Sequence, residues 1–268
     1  MTFFPGWRVD LEDRAYLTSS GPFRLRSPIV NAPETFDPRD ELTEEDQKQQ
    51  GSCSGHALTT SAEMANYLQS SGNMTQLCRQ FAYVEGQRID GLIGQDQGAT
   101  ISGVVQAAKS VGICREELWP YTGQYNTRPP AECYAEAKNH RIANHVPLRS
   151  HQDVINFLHA GQGAVVIGIM WTAGLANNKS GTITRSNSGG QVLGGHAIAL
   201  VGWVKDKIIL ANSHSTAWGQ NGYALCDPDW IDRESKNQQS EFIGISTLTE
   251  TFGEPQSWDW LKNPMPYG

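Results

Sequence analysis

Charge is scarce in this chain. Asp, Glu, Lys and Arg make up 18% of its 268 residues, against roughly 25% in a typical soluble domain. The net charge is acidic, −7, and no cluster of Lys and Arg interrupts it, which argues against a nucleic-acid surface. No apolar run approaches the roughly 18 residues of a membrane span, so no membrane partner is expected. CxxC pairs are absent, and Cys53, Cys78, Cys114, Cys133 and Cys226 fall at irregular spacings. That excludes the usual zinc patterns, and neither a metal nor any other cofactor is expected. The opening MTFFPGWRVDLEDRAYL has no basic start and no uninterrupted apolar core. It does not read as a signal peptide, and the expected location is cytoplasmic. An odd number of cysteines without such a signal fits free thiols, or at most two bridges with one cysteine left over.

Aromatic residues are plentiful, with 8 each of Trp, Tyr and Phe, and so is glycine, with 27. The chain therefore has the apolar area for a sizeable core and many turns, in one large or two smaller domains. Residues 1–35 show no long periodic pattern and are interrupted by Pro5, Pro22, Pro28 and Pro33; they read as an extension. From His56 to Leu68 small and apolar residues form a helical stripe, with Ser52 as the expected N-cap and Cys53 in the first turn. Further helices are expected in QLCRQFAYVEGQRI, in ISGVVQAAKSVG closed by Gly112, in AECYAEAKNHRIA, and in SHQDVINFLHAG stopped by Gly161. After that the texture changes. GAVVIGIMW, GHAIALVGWV and DKIILANS are apolar, β-branched runs between turn residues, as in antiparallel strands. Helices followed by strands make an α+β pattern.

Cys53 lies in DQKQQGSCSGHAL. Alone it reads first as a buried packing cysteine, because cysteine is among the most buried residue types. A nucleophile would need a base and a group that orients it. His56 would point from the next helical turn, poorly placed for the thiol proton. His140, His145, His151 and His159 carry no accompanying signature. His196 differs: it opens a strand after two glycines, and that strand turns near Lys205 and Asp206 and returns to end at Asn212. Residues equally far from a hairpin turn come back to one end of the ladder. An imidazole and a carboxamide are thus expected side by side. The Asn carbonyl can accept one ring N–H and leave the other nitrogen toward a thiol.

These three blocks, DQKQQGSC, GGHAIALVGW and ANSHSTAWGQNGY, resemble the motif blocks of papain-like cysteine peptidases of bacterial and viral type, over about residues 36–225. The resemblance implies a two-lobe fold: a helical lobe over 36–140 carrying the nucleophile and an antiparallel β-rich lobe over 141–255. An extension (1–35) and a tail (256–268) would flank them, with the active site in the cleft between the lobes. It implies Cys53 as nucleophile, His196 as base and acid, Asn212 as orienter and Gln47 as oxyanion donor. Gly98 as a substrate ledge, Gly195 beside the histidine and Trp218 on the cleft wall would contact substrate. The implied activity is hydrolysis of peptide bonds in peptides or proteins through a thioester. The alternative is a catalytically weak or inactive papain-fold binding or structural protein, such as a phage component. An acyl-transferring relative is a third reading, disfavoured because such families usually orient histidine with aspartate. Three positions depart from the family: Ser54 replaces an aromatic, Gly195 an acidic residue or asparagine, and His214 the first tryptophan of the asparagine block. The cover over the His–Asn hydrogen bond is therefore expected to be weaker or differently built. The helix N-terminus and a protonated His196 are expected to lower the Cys53 pKa from about 8.5. Residues 1–35 are expected to serve as a structural arm or a short blocking segment.

Overall fold

A computed structural model describes residues 6–9, 14–18, 32–123 and 128–247. The first half is helical, as the periodicity predicts. A short α1 (Arg14–Thr18) and a two-residue β1 (Thr35–Phe36) precede α2 (Cys53–Gln69), α3 (Arg79–Ile89), α4 (Ile101–Ser110) and α5 (Ala131–Ala137). Then come β2 (Ile142–Pro147), α6 (His151–His159), β3 (Ala164–Thr172), α7 (Ala173–Ala176) and β4 (Thr182–Ile183). The chain continues through β5 (Val192–Val204), β6 (Lys207–Ala211), β7 (Tyr223–Cys226), α8 (Pro228–Ser235) and β8 (Glu241–Thr247). One sheet collects the strands in the order β2-β8-β3-β5-β6-β7-β4, with β1 added to β5. All pairings are antiparallel except β4 with β7. The architecture is α+β, as the order of helices and strands in the sequence predicts.

α2 is the axis of the molecule. Every residue in it is buried except Asn66 and Gln69, which explains its small residues. At Gly55 a Cβ would lie 2.9 Å from the Tyr83 Cβ, so α3 crosses α2 at van der Waals distance only because position 55 has none. One face of α2 packs Met64, Tyr67 and Leu68 into the sheet core, and the other packs Cys53, Ala57, Leu58 and Ala62 with α3 and α4. Cys53 is thereby placed at the end of a rigid, fully enclosed rod.

Two local expectations change. Ser52 precedes α2 but makes no side-chain cap; its Oγ pairs instead with the Tyr121 hydroxyl at 2.7 Å. The segment AECYAEAKNHRIA is helical only to Ala137, and Ile142 and Ala143 belong to β2. β2 pairs with β8, about a hundred residues downstream, and local propensity yields to that distant partner.

Candidate active site

His196 sits on β5, where it opposes Ile169 of β3. On its other side β5 pairs with β6, with Ala199 opposite Ala211 and a register shift between Leu200 and Gly202. Asn212 is therefore not directly across from His196 but a diagonal neighbour, still within side-chain reach. The chain leaves the ladder there, and Asn212 Oδ1 accepts both the Ser213 N–H (2.9 Å) and the Nε2–H of His196 (2.8 Å). A backbone N–H can only donate, so the atom facing His196 is the amide oxygen. The proton of neutral His196 is thus held on Nε2, and Nδ1 is the basic nitrogen. Cys53 Sγ accepts the N–H of Ala197, the residue after His196, at 3.4 Å. The Cys53 thiol thus bonds to the backbone next to His196, 144 residues on at Ala197, and the imidazole bonds to a carboxamide 16 residues further along the chain.

The cover over the His196–Asn212 bond is built from two rings. His214 stacks on His196 with centroids 4.5 Å apart and planes at 24°, and Trp171 of β3 meets His196 edge-on at 4.6 Å. Carrying the β5–β6 register three residues past Ala199 and Ala211 puts position 214 opposite 196, which is why His214 lands there. Burial lowers its pKa to about 4, so it is neutral at pH 7 and acts as a flat, uncharged lid. Nothing in the pattern of residue types marks Trp171 as a member of the site, since its strand reads only as a buried run.

Beneath the site, the 45–52 segment is pinned by a buried charge cluster. Arg79 donates through Nε to both carboxylate oxygens of Glu45 (2.7 and 2.9 Å), and His56 Nδ1 pairs with Glu45 Oε2 at 2.7 Å. Burial opposes the Glu45 charge, but Arg79 and His56 outweigh it and hold the carboxyl below its usual value. His56 thus faces Glu45, with its ring edge-on to Tyr121. Gln47 donates from Nε2 to Gln50 O (2.9 Å) and accepts the Ser213 hydroxyl on Oε1 (2.7 Å). These two bonds fix the plane of its side-chain amide. Ser54 is fully buried, and its Oγ finds no partner.

Residues 6–9 of the N-terminal extension lie across this site. Ala99 N–H donates to Gly6 O (2.9 Å) and Arg8 N–H to Ala99 O (3.3 Å), so Trp7 pairs with Ala99 in parallel fashion. Gly6 and Trp7 N–H both donate to Gly195 O, at 3.3 and 3.4 Å. The Trp7 ring lies over Gly168, where a Cβ would come within 2.4 Å of it, and Trp7 is only 4% exposed. Its Nε1–H is buried without a partner. With this arm in place Cys53 and His196 are both fully buried. The pKa expectation reverses accordingly. Burial pushes the Cys53 thiol up to about 12 despite the N–H groups of Ala197, Gly6, Ser54 and Cys53 itself. Burial, then His214, drives His196 well below its usual value. Covered, the pair is a neutral thiol beside a neutral imidazole.

Two substrate-contact expectations are corrected. The residue that offers its backbone at the ledge is Ala99; Gly98, with φ +80°, supplies close approach, since a Cβ there would sit 2.0 Å from Gly6 O. Trp218 is 1% exposed, donates Nε1–H to Leu175 O (2.8 Å) and tilts against Trp171. It supports the wall from within the core. Gly195 stands beside His196, and its carbonyl accepts the arm's Gly6 and Trp7 N–H groups.

The sequence profile of the papain family cysteine proteases matches residues 32–239. The chain belongs to that family. An uncharacterised peptidase C1-like protein of Acanthamoeba polyphaga mimivirus is 28% identical over 244 residues, 86% of this chain and 76% of that protein. A cathepsin B-like cysteine proteinase of Ostertagia ostertagi is 26% identical over 149 residues, 46% of this chain and 84% of the other. Among solved structures, xylellain, a cysteine protease from Xylella fastidiosa, aligns with a TM-score of 0.73 at 22% identity. That alignment covers 92% of this chain and 96% of xylellain. A digestive procathepsin L of Tenebrio molitor larval midgut aligns at 0.64 and 22%, covering 88% and 78%. Among the described residues no helix is long and apolar enough to cross a membrane, and no group of His, Cys, Asp and Glu could hold a metal ion.

Proposed function

We propose that this papain-family protein is a cysteine peptidase that hydrolyses peptide bonds through a thioester on Cys53, and that residues 6–9 hold it in a covered, latent state. The observation that carries this reading is the Nε2-to-Oδ1 bond between His196 and Asn212 beside a thiol that accepts the Ala197 N–H. Nδ1 of His196 takes the Cys53 proton. The thiolate attacks the substrate carbonyl, and the imidazolium returns the proton to the leaving amine. Water, deprotonated by the same nitrogen, then releases the acyl group. The Cys53 N–H and the Gln47 side-chain amide stabilise the oxyanion. Gln47→Ala is expected to lower kcat by about 10²–10³-fold with KM little changed. A thermal midpoint measured beside the kinetics separates that loss from unfolding, and a change confined to KM would remove Gln47 from this role.

The buried, neutral Cys53 favours latency over inactivity, because among the described residues the segment laid over the site is residues 6–9 of the extension, with the Trp7 indole against Gly168. Gly195 O and both backbone groups of Ala99 are the bonding positions a peptide substrate would take, and the arm occupies all three. The test is the pH dependence of iodoacetamide labelling at each cysteine, read by mass spectrometry with the arm displaced by Trp7→Ala, with and without His196→Ala. Rapid Cys53 labelling below pH 7 that the histidine substitution abolishes is expected. Labelling that follows an ordinary thiol near pH 8.5 in both proteins would exclude a thiolate–imidazolium pair, and with it this function.

A further inference from the structure

Three of the five cysteines converge at the start of α3, away from the nucleophile. Cys78 is the α3 N-cap: its Sγ accepts the Phe81 N–H at 3.3 Å, and its S–H donates to Trp119 O at 3.0 Å. Leu77 and Arg115 form an isolated antiparallel bridge, flanked by Cys78 N–H to Cys114 O (2.8 Å) and Glu116 N–H to Gln76 O (3.0 Å). Cys78 and Cys114 therefore stand directly opposite each other on two extended segments. Opposed residues of an antiparallel pair lie about 4.5–5.5 Å apart at Cα, within the roughly 4.4–6.8 Å that a disulfide spans. The Cys114 thiol is in hydrogen-bond contact with Cys78 and also with Cys133 of α5. All three are fully buried thiols here.

We propose that Cys78 and Cys114 are an oxidisable pair, a disulfide clip between the α3 N-cap and the segment facing it, formed by exchange with a low-molecular-weight disulfide such as glutathione disulfide. Cys78 is the attacking sulfur: it caps the eleven-residue α3 by accepting the Phe81 N–H, and Cys114 opposite it is the resolving one. Its sulfur displaces one glutathione thiolate, which takes up the Cys78 proton, and leaves a mixed disulfide. The Cys114 sulfur, losing its own proton, then attacks Cys78 and displaces the second glutathione. Two protein thiols are oxidised and one disulfide is reduced to two thiols. Because the cluster is buried, exchange waits on local opening and is slow. The bridge also removes the S–H that Trp119 O accepts. Trp119 lies two residues before Tyr121, whose hydroxyl donates to Gln47 O (2.9 Å) and pairs with Ser52 Oγ.

The experiment equilibrates the full chain with glutathione disulfide, traps free thiols with N-ethylmaleimide and maps linked peptides without reduction. A Cys78–Cys114 peptide is expected, with Cys53, Cys133 and Cys226 alkylated. The thermal midpoint should rise by roughly 5 °C or more, since about 36 residues are closed into a loop. Cys114→Ser should abolish both effects and Cys133→Ser should keep both. Recovery of Cys78 and Cys114 as alkylated thiols, or linkage of Cys114 to Cys133 in the wild type, overturns the proposal. The wild-type map decides this even if the Cys114 variant does not fold.

Discussion

Peptide hydrolysis is expected to fall by about 10⁴-fold or more in Cys53→Ser, measured as kcat/KM on a fluorogenic peptide series in the Trp7→Ala background. The substitution keeps shape and hydrogen-bond acceptor while removing the acidity of the thiol. Its oxygen still accepts the Ala197 N–H that Cys53 Sγ accepts at 3.4 Å, so the fold has little reason to change. What is lost is an anion that His196 can create. A serine at this place would need a stronger base than an imidazole held by a neutral carboxamide, because Asn212 Oδ1 orients the ring without bringing a negative charge to it. The adjacent Ser54→Ala is the control. Its hydroxyl is buried and unpartnered, and removing it should leave kcat/KM within about twofold. Should Cys53→Ser retain more than a hundredth of the activity while the thermal midpoint is unchanged, the nucleophile lies elsewhere.

The sequence exposed the site's bonded pair more clearly than its surroundings, for physical reasons. His196 and Asn212 are joined by a local hairpin, so counting from the Lys205–Asp206 turn brings them to the same end. The count misses only the register shift between Leu200 and Gly202, which makes them diagonal neighbours. That shift also carries His214 over His196, and no reading of residue type alone places it there. Trp171 reaches the imidazole through the β3–β5 pairing, whose register is set by two strands about thirty residues apart. A period-2 pattern says that such a residue is buried but not what it touches. Trp7 is harder still. It lies in a segment without periodicity, held by one backbone pairing to Ala99 and by a ring seated on Gly168. Gly168 reads in sequence as a weak point in an apolar strand; in the structure it is where another chain segment approaches. The reversal of the Cys53 pKa has the same origin. Helix N-terminus and imidazole are local and legible, whereas burial comes from a covering segment that no motif announces.

That covering segment leads to the second large effect. Trp7→Ala is expected to raise the rate of Cys53 alkylation at pH 7 by about tenfold to a hundredfold. The substitution removes the indole from Gly168 and leaves the arm only its few backbone bonds, a loss of order 3–5 kcal/mol by analogy with buried aromatic truncations, reduced to the extent that the arm re-anchors. Opening should also depend on pH, with a definite sign. His196 is held well below its ordinary value in the covered state, and His214 is lowered to about 4. Groups whose pKa is depressed by covering favour the covered state above their ordinary value near 6.5. That contribution is lost as pH falls toward the depressed values. Cys53, raised to about 12 when covered, keeps the proton that His196 holds in the uncovered ion pair, so the two cancel in proton count and the pH dependence rests on His214. Coverage is therefore tight at neutrality, and acid releases it. Asp46, bridged to His214 through the backbone, is the acid that favours charge on that ring, and burial outweighs it in the covered state. In the wild type, Cys53 labelling relative to the Trp7→Ala protein should rise as pH drops from 7 to 5. A ratio that stays flat across that interval would mean that the arm does not open by charging His214.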